Sequence, residues 1–243
     1  MQYLQFKKFE DKHFGERCFI LGNAPSLKKE NLSLLKNEIV FVCNKGYNAL
    51  SIGLPKYDYY VCTDTISVYS EDFYNIKHKV NAVRFYPKDI IECEQYHIEP
   101  KEDYIPINYI SQDVKKTKEE KRAVLNGIFP KSYEDGWSKI GSVTFHASMI
   151  AYFMGFKEIY FLGMTFDYLP GQSHFYSGVC ESERESNLKN TTHKGGLIYA
   201  AAMSKFFKEQ NISFVNLSKD FQYTNLMDID SLENVIQKKD NLK

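Results

Sequence analysis

Six short runs of β-branched or aromatic residues recur along the chain, at 18–21, 39–43, 59–63, 82–85, 158–162 and 213–217. The runs are continuous instead of alternating with polar positions, the pattern of parallel strands buried on both faces. Between them, 27–36, 67–78, 143–154 and 195–209 carry apolar residues at three- and four-residue spacing and predict helices. This alternation of strands and helices predicts an α/β fold, an open, doubly wound and mainly parallel sheet.

Two stretches fit this scheme poorly: 111–138, with its run KKTKEEKR, and 166–192, rich in Ser, Gly, His and Asn. Long irregular segments in compact domains tend to be lids or binding loops, and both are read as lids. Within the first, 113–124 also has the composition of a small helical insertion. Its charge run reads as a solvated face before a phosphate patch. Residues 238–243 are expected to fray.

Composition narrows the function. Lys and Arg number 31 against 31 Asp and Glu, so a basic nucleic-acid binder is disfavoured. With 43% hydrophobic and 26% charged residues the chain is able to bury a core of its own. Cys18, Cys43, Cys62, Cys93 and Cys180 are odd in number and scattered, without CxxC spacing, and read as reduced thiols of a cytoplasmic protein. No window reaches the roughly 18 apolar residues of a membrane span, and 1–9 lacks the apolar stretch of a signal peptide.

The candidate chemistry gathers where strands end. The first strand runs into Gly22-Asn23-Ala24-Pro25-Ser26, and in an open α/β sheet ligands bind at such carboxyl ends. Gly22 would admit close approach of a ligand, with Ser26 as N-cap or direct donor to a phosphate. An ordinary strand-to-helix turn explains the same residues equally well. The second strand ends on Asn44, a second amide able to fix a sugar or base. A third ends at Cys62-Thr63-Asp64, where Asp64 accepts hydroxyl hydrogen bonds, approaches a metal, or simply caps the next helix. Ser142 and Thr144 stand where a helix N-terminus holds an anion, and Gly155 is placed as a helix C-cap. The strand 158–162 then ends at Gly163, on the same edge. His146 reads as a packed core residue. Asp228-Ile229-Asp230 has the spacing of a metal-holding DxD, but helix capping before Ser231 is the better reading.

The segments ILGNAPSL, CNKGY and GSVTFHASMIAYFMGFKEIYFLGMTFDY resemble the bacterial CMP-sialic acid sialyltransferases of lipooligosaccharide biosynthesis. They are also similar to a bacterial family described as pterin-pyrophosphokinase-like. The resemblance spans about 17–217. It implies a single Rossmann-like domain with a lid over the donor, and catalysis without a metal or other cofactor. It places Asn23 and Asn44 on the CMP part of the donor, and Ser142 or Thr144 in a small hydroxylated turn beside the nucleotide. The family's Gly-x-Asp-Phe-Tyr turn reads here Gly163-Met164-Thr165-Phe166-Asp167-Tyr168, with Thr165 where Asp is usual. Tyr168 and Tyr176 are then the nearest phenols for the leaving phosphate. His193, expected just before the helix 195–209, matches the family's general base, and His174 is its competitor in the same lid. The implied reaction is inverting transfer of a sialic acid or related acid sugar from a CMP-linked donor to a cell-surface glycan acceptor. The resemblance also makes a homo-oligomer the default expectation, at most peripherally in contact with the inner face of the membrane. Two other readings stand beside it: an ATP- and Mg²⁺-dependent pyrophosphokinase-like enzyme, with Asp64 and Asp167 as metal ligands, and a non-catalytic nucleotide-sugar binding protein.

Overall fold

Arg17–Leu21 (β1), Ile39–Cys43 (β2) and Glu158–Leu162 (β8) form the centre of the molecule, in a computed structural model that describes residues 6–63, 82–87, 104–107, 109–110, 119, 122–126, 128–129, 137–138, 142–166, 174–176 and 192–240. The other described strands are Tyr59–Val61 (β3), Val83–Pro87 (β4), Tyr104–Ile107 (β5), Tyr109–Ile110 (β6), Trp137–Ser138 (β7), Ser213–Asn216 (β9) and Asp228–Ile229 (β10). Three α-helices are described, Val143–Phe153 (α1), Thr192–Glu209 (α2) and Leu232–Asp240 (α3). Eight strands pair in the order β10-β9-β8-β1-β2-β3-β4-β5, all parallel, and β6 pairs with β7 apart from them.

The chain builds outward from β1 to β5 and then returns to the other side of β1 to lay down β8, β9 and β10. The topological switch point therefore falls between β1 and β8, where Arg17 lies opposite Glu158 and Leu21 opposite Leu162. One face of the sheet is covered by α1 and α2, with Phe145, Met149, Met203 and Phe207 packed among Ile20, Phe41 and Phe161. On the other face Leu27, Leu35, Tyr47 and Leu232 pack among Leu21, Val42 and Leu162. Burial on both faces is why the central strands are apolar beyond their first residues, Arg17 and Glu158. Each such side chain contributes about 1.5–3 kcal/mol when fully buried.

The expected helix at 27–36 is instead two short 3-10 turns, Pro25–Lys29 and Leu32–Asn37. Glu30 between them is extended, with φ −87° and ψ 144°, which breaks the run before an α-helix can propagate. The expected helix at 67–78 lies outside the described residues. α1 ends as its sequence implies: Gly155 takes φ 87°, its amide bonds Tyr152 O, and the Phe156 amide reaches Ala151 O. The segment before β1 runs past that helix end, where the amides of Asp11, His13 and Gly15 bond the carbonyls of Phe153, Met154 and Gly155. His13 sits between Glu16 Oε2 at 2.6 Å and Tyr59 Oη at 2.7 Å.

Of the lid expected at 111–138, a helical turn at 122–125 and Phe129 are described, and the Phe129 ring centroid lies 4.3 Å from that of Phe206 on α2. Cys18, Cys43 and Cys62 are buried thiols, and burial pushes the first two well above the ordinary thiol range. Cys93 and Cys180 lie outside the described residues. Among the described residues no helix is long and apolar enough to cross a membrane.

Candidate functional site

The carboxyl end of β1 is drawn tight against that of β8. Gly22 donates to Leu162 O at 2.8 Å and Ala24 to Gly163 O at 2.9 Å, so pairing continues past both strands. A Cβ on Gly22 would stand 2.4 Å from Gly163 O, and one on Gly163 (φ 65°) 2.9 Å from Gly22 O. The contact that requires Gly22 is thus the neighbouring carbonyl.

Asn23 follows, and its amide is held in one orientation. Nδ2 donates to Cys43 O at the end of β2, at 3.2 Å, which leaves Oδ1 as a buried acceptor without a partner among the described residues. A buried acceptor left unmet costs about 1–3 kcal/mol, so Asn23 Oδ1 is an acceptor still open to a donor beyond the described residues. Ser26 Oγ is likewise buried and unmet among the described residues. Ser26 is not an N-cap as its position suggested: that place belongs to Ala24, with no side-chain cap bond, because Pro25 opens the turn.

Asn44 stands at the end of β2 in the left-handed region, φ 49°, which Asn tolerates better than most residues. Its Oδ1 accepts the Thr63 amide at 3.3 Å. The two asparagines therefore clip three successive strand ends together, on the carboxyl edge of the sheet where open α/β folds generally bind ligands. Asp64 lies outside the described residues.

At the start of α1, Ser142 is the N-cap, its Oγ 3.4 Å from the Thr144 amide and 2.9 Å from Thr144 Oγ1. The Thr144 hydroxyl is turned inward and donates to Met164 Sδ at 3.5 Å. Thr144 thus supports the turn from within, and Ser142 is the more exposed of the two hydroxyls. Met164 belongs to the loop after β8, which the sequence marked only through Gly163 and Thr165. Ser218 Oγ accepts the Met164 amide at 2.9 Å, and Asn216 Nδ2 donates to the Met164 carbonyl at 2.8 Å. Phe166, two residues on, has φ 63°, a conformation costing a bulky residue about 1–3 kcal/mol. Its ring presses on Gly196 of α2, where a Cβ would approach to 2.8 Å.

The turn at 174–176 lies on the same edge, since the Phe175 amide donates to Asn23 O at 2.8 Å and the Phe175 ring is buried in the core. Anchored by it, the His174 and Tyr176 rings stack with centroids 5.0 Å apart and planes 6° from parallel. Two sequence candidates, His174 and Tyr176, are thereby brought beside Asn23. Tyr168 lies outside the described residues. The helix expected to start after His193 begins at Thr192, so His193 is in its first turn, and its side chain is outside the description.

Away from this edge, Ser231 Oγ caps α3 by accepting the Asn234 amide at 3.2 Å, and Asp230 Oδ1 supports that turn by accepting the Ser231 amide at 2.8 Å and Asn234 Nδ2 at 3.0 Å. Lys238 beside it holds the Asp230 carboxyl below its ordinary range. His146 is buried on α1, as its apolar helix implied. Among the described residues no three His, Cys, Asp or Glu side chains gather as metal ligands.

The fold aligns with the sialyltransferase CstII from Campylobacter jejuni, in a structure with the substrate analogue cytidine-5'-monophosphate. The alignment covers 89% of this chain and 85% of that one, with TM-score 0.54 and 17% identity. The MAf glycosyltransferase from Magnetospirillum magneticum AMB-1 aligns over 100% of this chain and 40% of its own, with TM-score 0.54 and 13% identity. At these identities the likeness is one of fold, and that fold is the one the sequence resemblance implied. No protein-family model and no curated protein matches the chain.

Proposed function

We propose that this chain is a glycosyltransferase that takes an acidic sugar from a CMP-linked donor, bound over the carboxyl ends of β1, β2 and β8. The observation that carries the reading is Asn23: its Nδ2 is fastened to Cys43 O, and its buried Oδ1 meets no donor among the described residues. A nucleoside offers such donors in its ribose hydroxyls and exocyclic amine. The alignment with a structure holding cytidine-5'-monophosphate supports the same class of donor.

In the reaction an acceptor hydroxyl oxygen bonds to the anomeric carbon while the bond from that carbon to the CMP phosphate oxygen breaks, with inversion. The hydroxyl proton passes to an imidazole, suited by its ordinary pKa of about 6.5. His193 has the sequence resemblance in its favour. His174 has position, since its turn hangs from Asn23 O. The phenol of Tyr176, and that of Tyr168, donate to the departing phosphate as charge develops on it. The Ser142 turn offers donors to the sugar carboxylate. No metal enters these steps.

Titration of the purified chain with CMP, CDP, UDP, GDP and ATP, with and without Mg²⁺, tests the proposal. Metal-independent preference for CMP is the expected result. At 100 times Kd, binding to the native state adds about 2.7 kcal/mol of stability, easily seen in thermal unfolding. Preference for ATP with Mg²⁺ would replace the reading with pyrophosphoryl transfer. Tight CMP-sugar binding without turnover would leave a binding protein.

A further inference from the structure

Packing alone gives no reason for a polar residue at Asn216. It closes a strand whose neighbours are apolar and is 1% exposed, where a polar side chain costs stability unless every group is met. Both ends of its amide have partners, and the bonds lead to one loop. Asn216 Nδ2 donates to Met164 O, Asn216 Oδ1 accepts the Ser218 amide at 2.9 Å, and Ser218 Oγ accepts the Met164 amide. Both backbone groups of Met164 are therefore held by side chains at and just past the end of β9, where regular β8–β9 pairing has stopped.

That loop touches two parts of the candidate site. Gly163 O receives the amide of Ala24, next to Asn23, and Met164 Sδ receives the hydroxyl of Thr144, which in turn meets Ser142. Immediately after it the chain adopts the left-handed conformation of Phe166, which it would leave if released. We propose that Asn216 and Ser218 are positioning residues for the donor: through Met164 they hold the 163–166 loop where it shapes the nucleotide-sugar pocket. The inference rests on the glycosyltransferase reading and names residues that act on the donor side of it.

Ser218→Ala removes the acceptor of the Met164 amide and nothing larger. CMP affinity and donor KM are expected to worsen about tenfold, more than kcat falls and with acceptor KM within twofold, while Ser218→Thr restores both. Asn216→Ser, too short to reach Met164 O while holding the Ser218 amide, is read in the same assays and should give the same donor-side loss. A merely structural role predicts lower thermal stability with the ratio of donor to acceptor KM unchanged. Wild type and both variants binding CMP equally well would overturn this inference alone. A wild type that binds no nucleotide would overturn it together with the glycosyltransferase reading.

Discussion

Gly22 and Gly163 meet backbone to backbone at the switch point of the sheet, with 2.4 Å between the carbonyl oxygen of one and the place where a Cβ of the other would stand. Neither partner is a flexible side chain able to swing aside. Gly22→Ala is therefore expected to destabilise the fold by about 1–3 kcal/mol, or to part β1 from β8, and urea denaturation measures it. A variant as stable as the parent would show that the strand ends separate freely.

Asn23→Ala removes a buried acceptor and a donor that ties β1 to β2. CMP affinity should fall about tenfold or more, and stability by about 1 kcal/mol. Calorimetric titration beside thermal unfolding separates the two. Unchanged CMP affinity would remove Asn23 from the site.

The contact between Phe166 and Gly196 calls for a paired test. Gly196→Ala gains about 1 kcal/mol of helix propensity, yet its methyl group meets the Phe166 ring at 2.8 Å. The net effect should be loss of stability and of donor affinity, with Phe166→Leu in the same chain recovering part of both. Coupling between the two substitutions, read as a double-mutant cycle, is the expected outcome. Simple additivity would mean that the ring yields without cost.

Glu30 carries a pH dependence of definite sign. Burial raises its pKa against the lowering effects of the Lys219 amide and ammonium, and its side chain is fully buried. Between the ordinary value of 4.5 and the raised one, the native state binds the proton that the unfolded chain has lost. Wild-type stability from this group thus rises as pH falls through that window and is lost above it. Glu30→Gln keeps an acceptor for the Lys219 amide. It should match or exceed wild type at neutral pH, with wild type gaining on it as pH falls. Parallel stability curves for the two proteins would contradict this.

Replacing the base should cost kcat about 10²–10⁴-fold and remove the acidic limb of the pH profile. His193→Ala and His174→Ala, assayed side by side with a CMP-linked donor, assign it. Equal, small effects from both would place the proton elsewhere.

The central strands were legible because burial on both faces writes the same instruction at every position, and α1 because Ser142 and Gly155 mark its ends. The turns after β1 were not. Leu27, Leu32 and Leu35 supply helical spacing, but Pro25 and the extended Glu30 interrupt the ladder that spacing assumes. β10 was illegible for a different reason: two exposed residues take their register from β9, and no local pattern encodes that. At the site, Asn23 and Asn44 were readable as polar residues where apolar runs stop. The same signal was present at Asn216 and passed over, because its meaning depends on a carbonyl in a loop remote in sequence.

The order in which this chain leaves the ribosome runs against the order in which its centre can close. β1 is made early, yet its second partner, β8, follows only after β2 to β7 and the helix α1 have been made. The opening segment waits too, since Phe9 and His13 find their places against Phe85, Tyr59 and Phe156. Such long-range pairing slows folding. Through most of synthesis the nascent chain carries an unfinished apolar edge, the kind of transiently exposed surface from which aggregation starts.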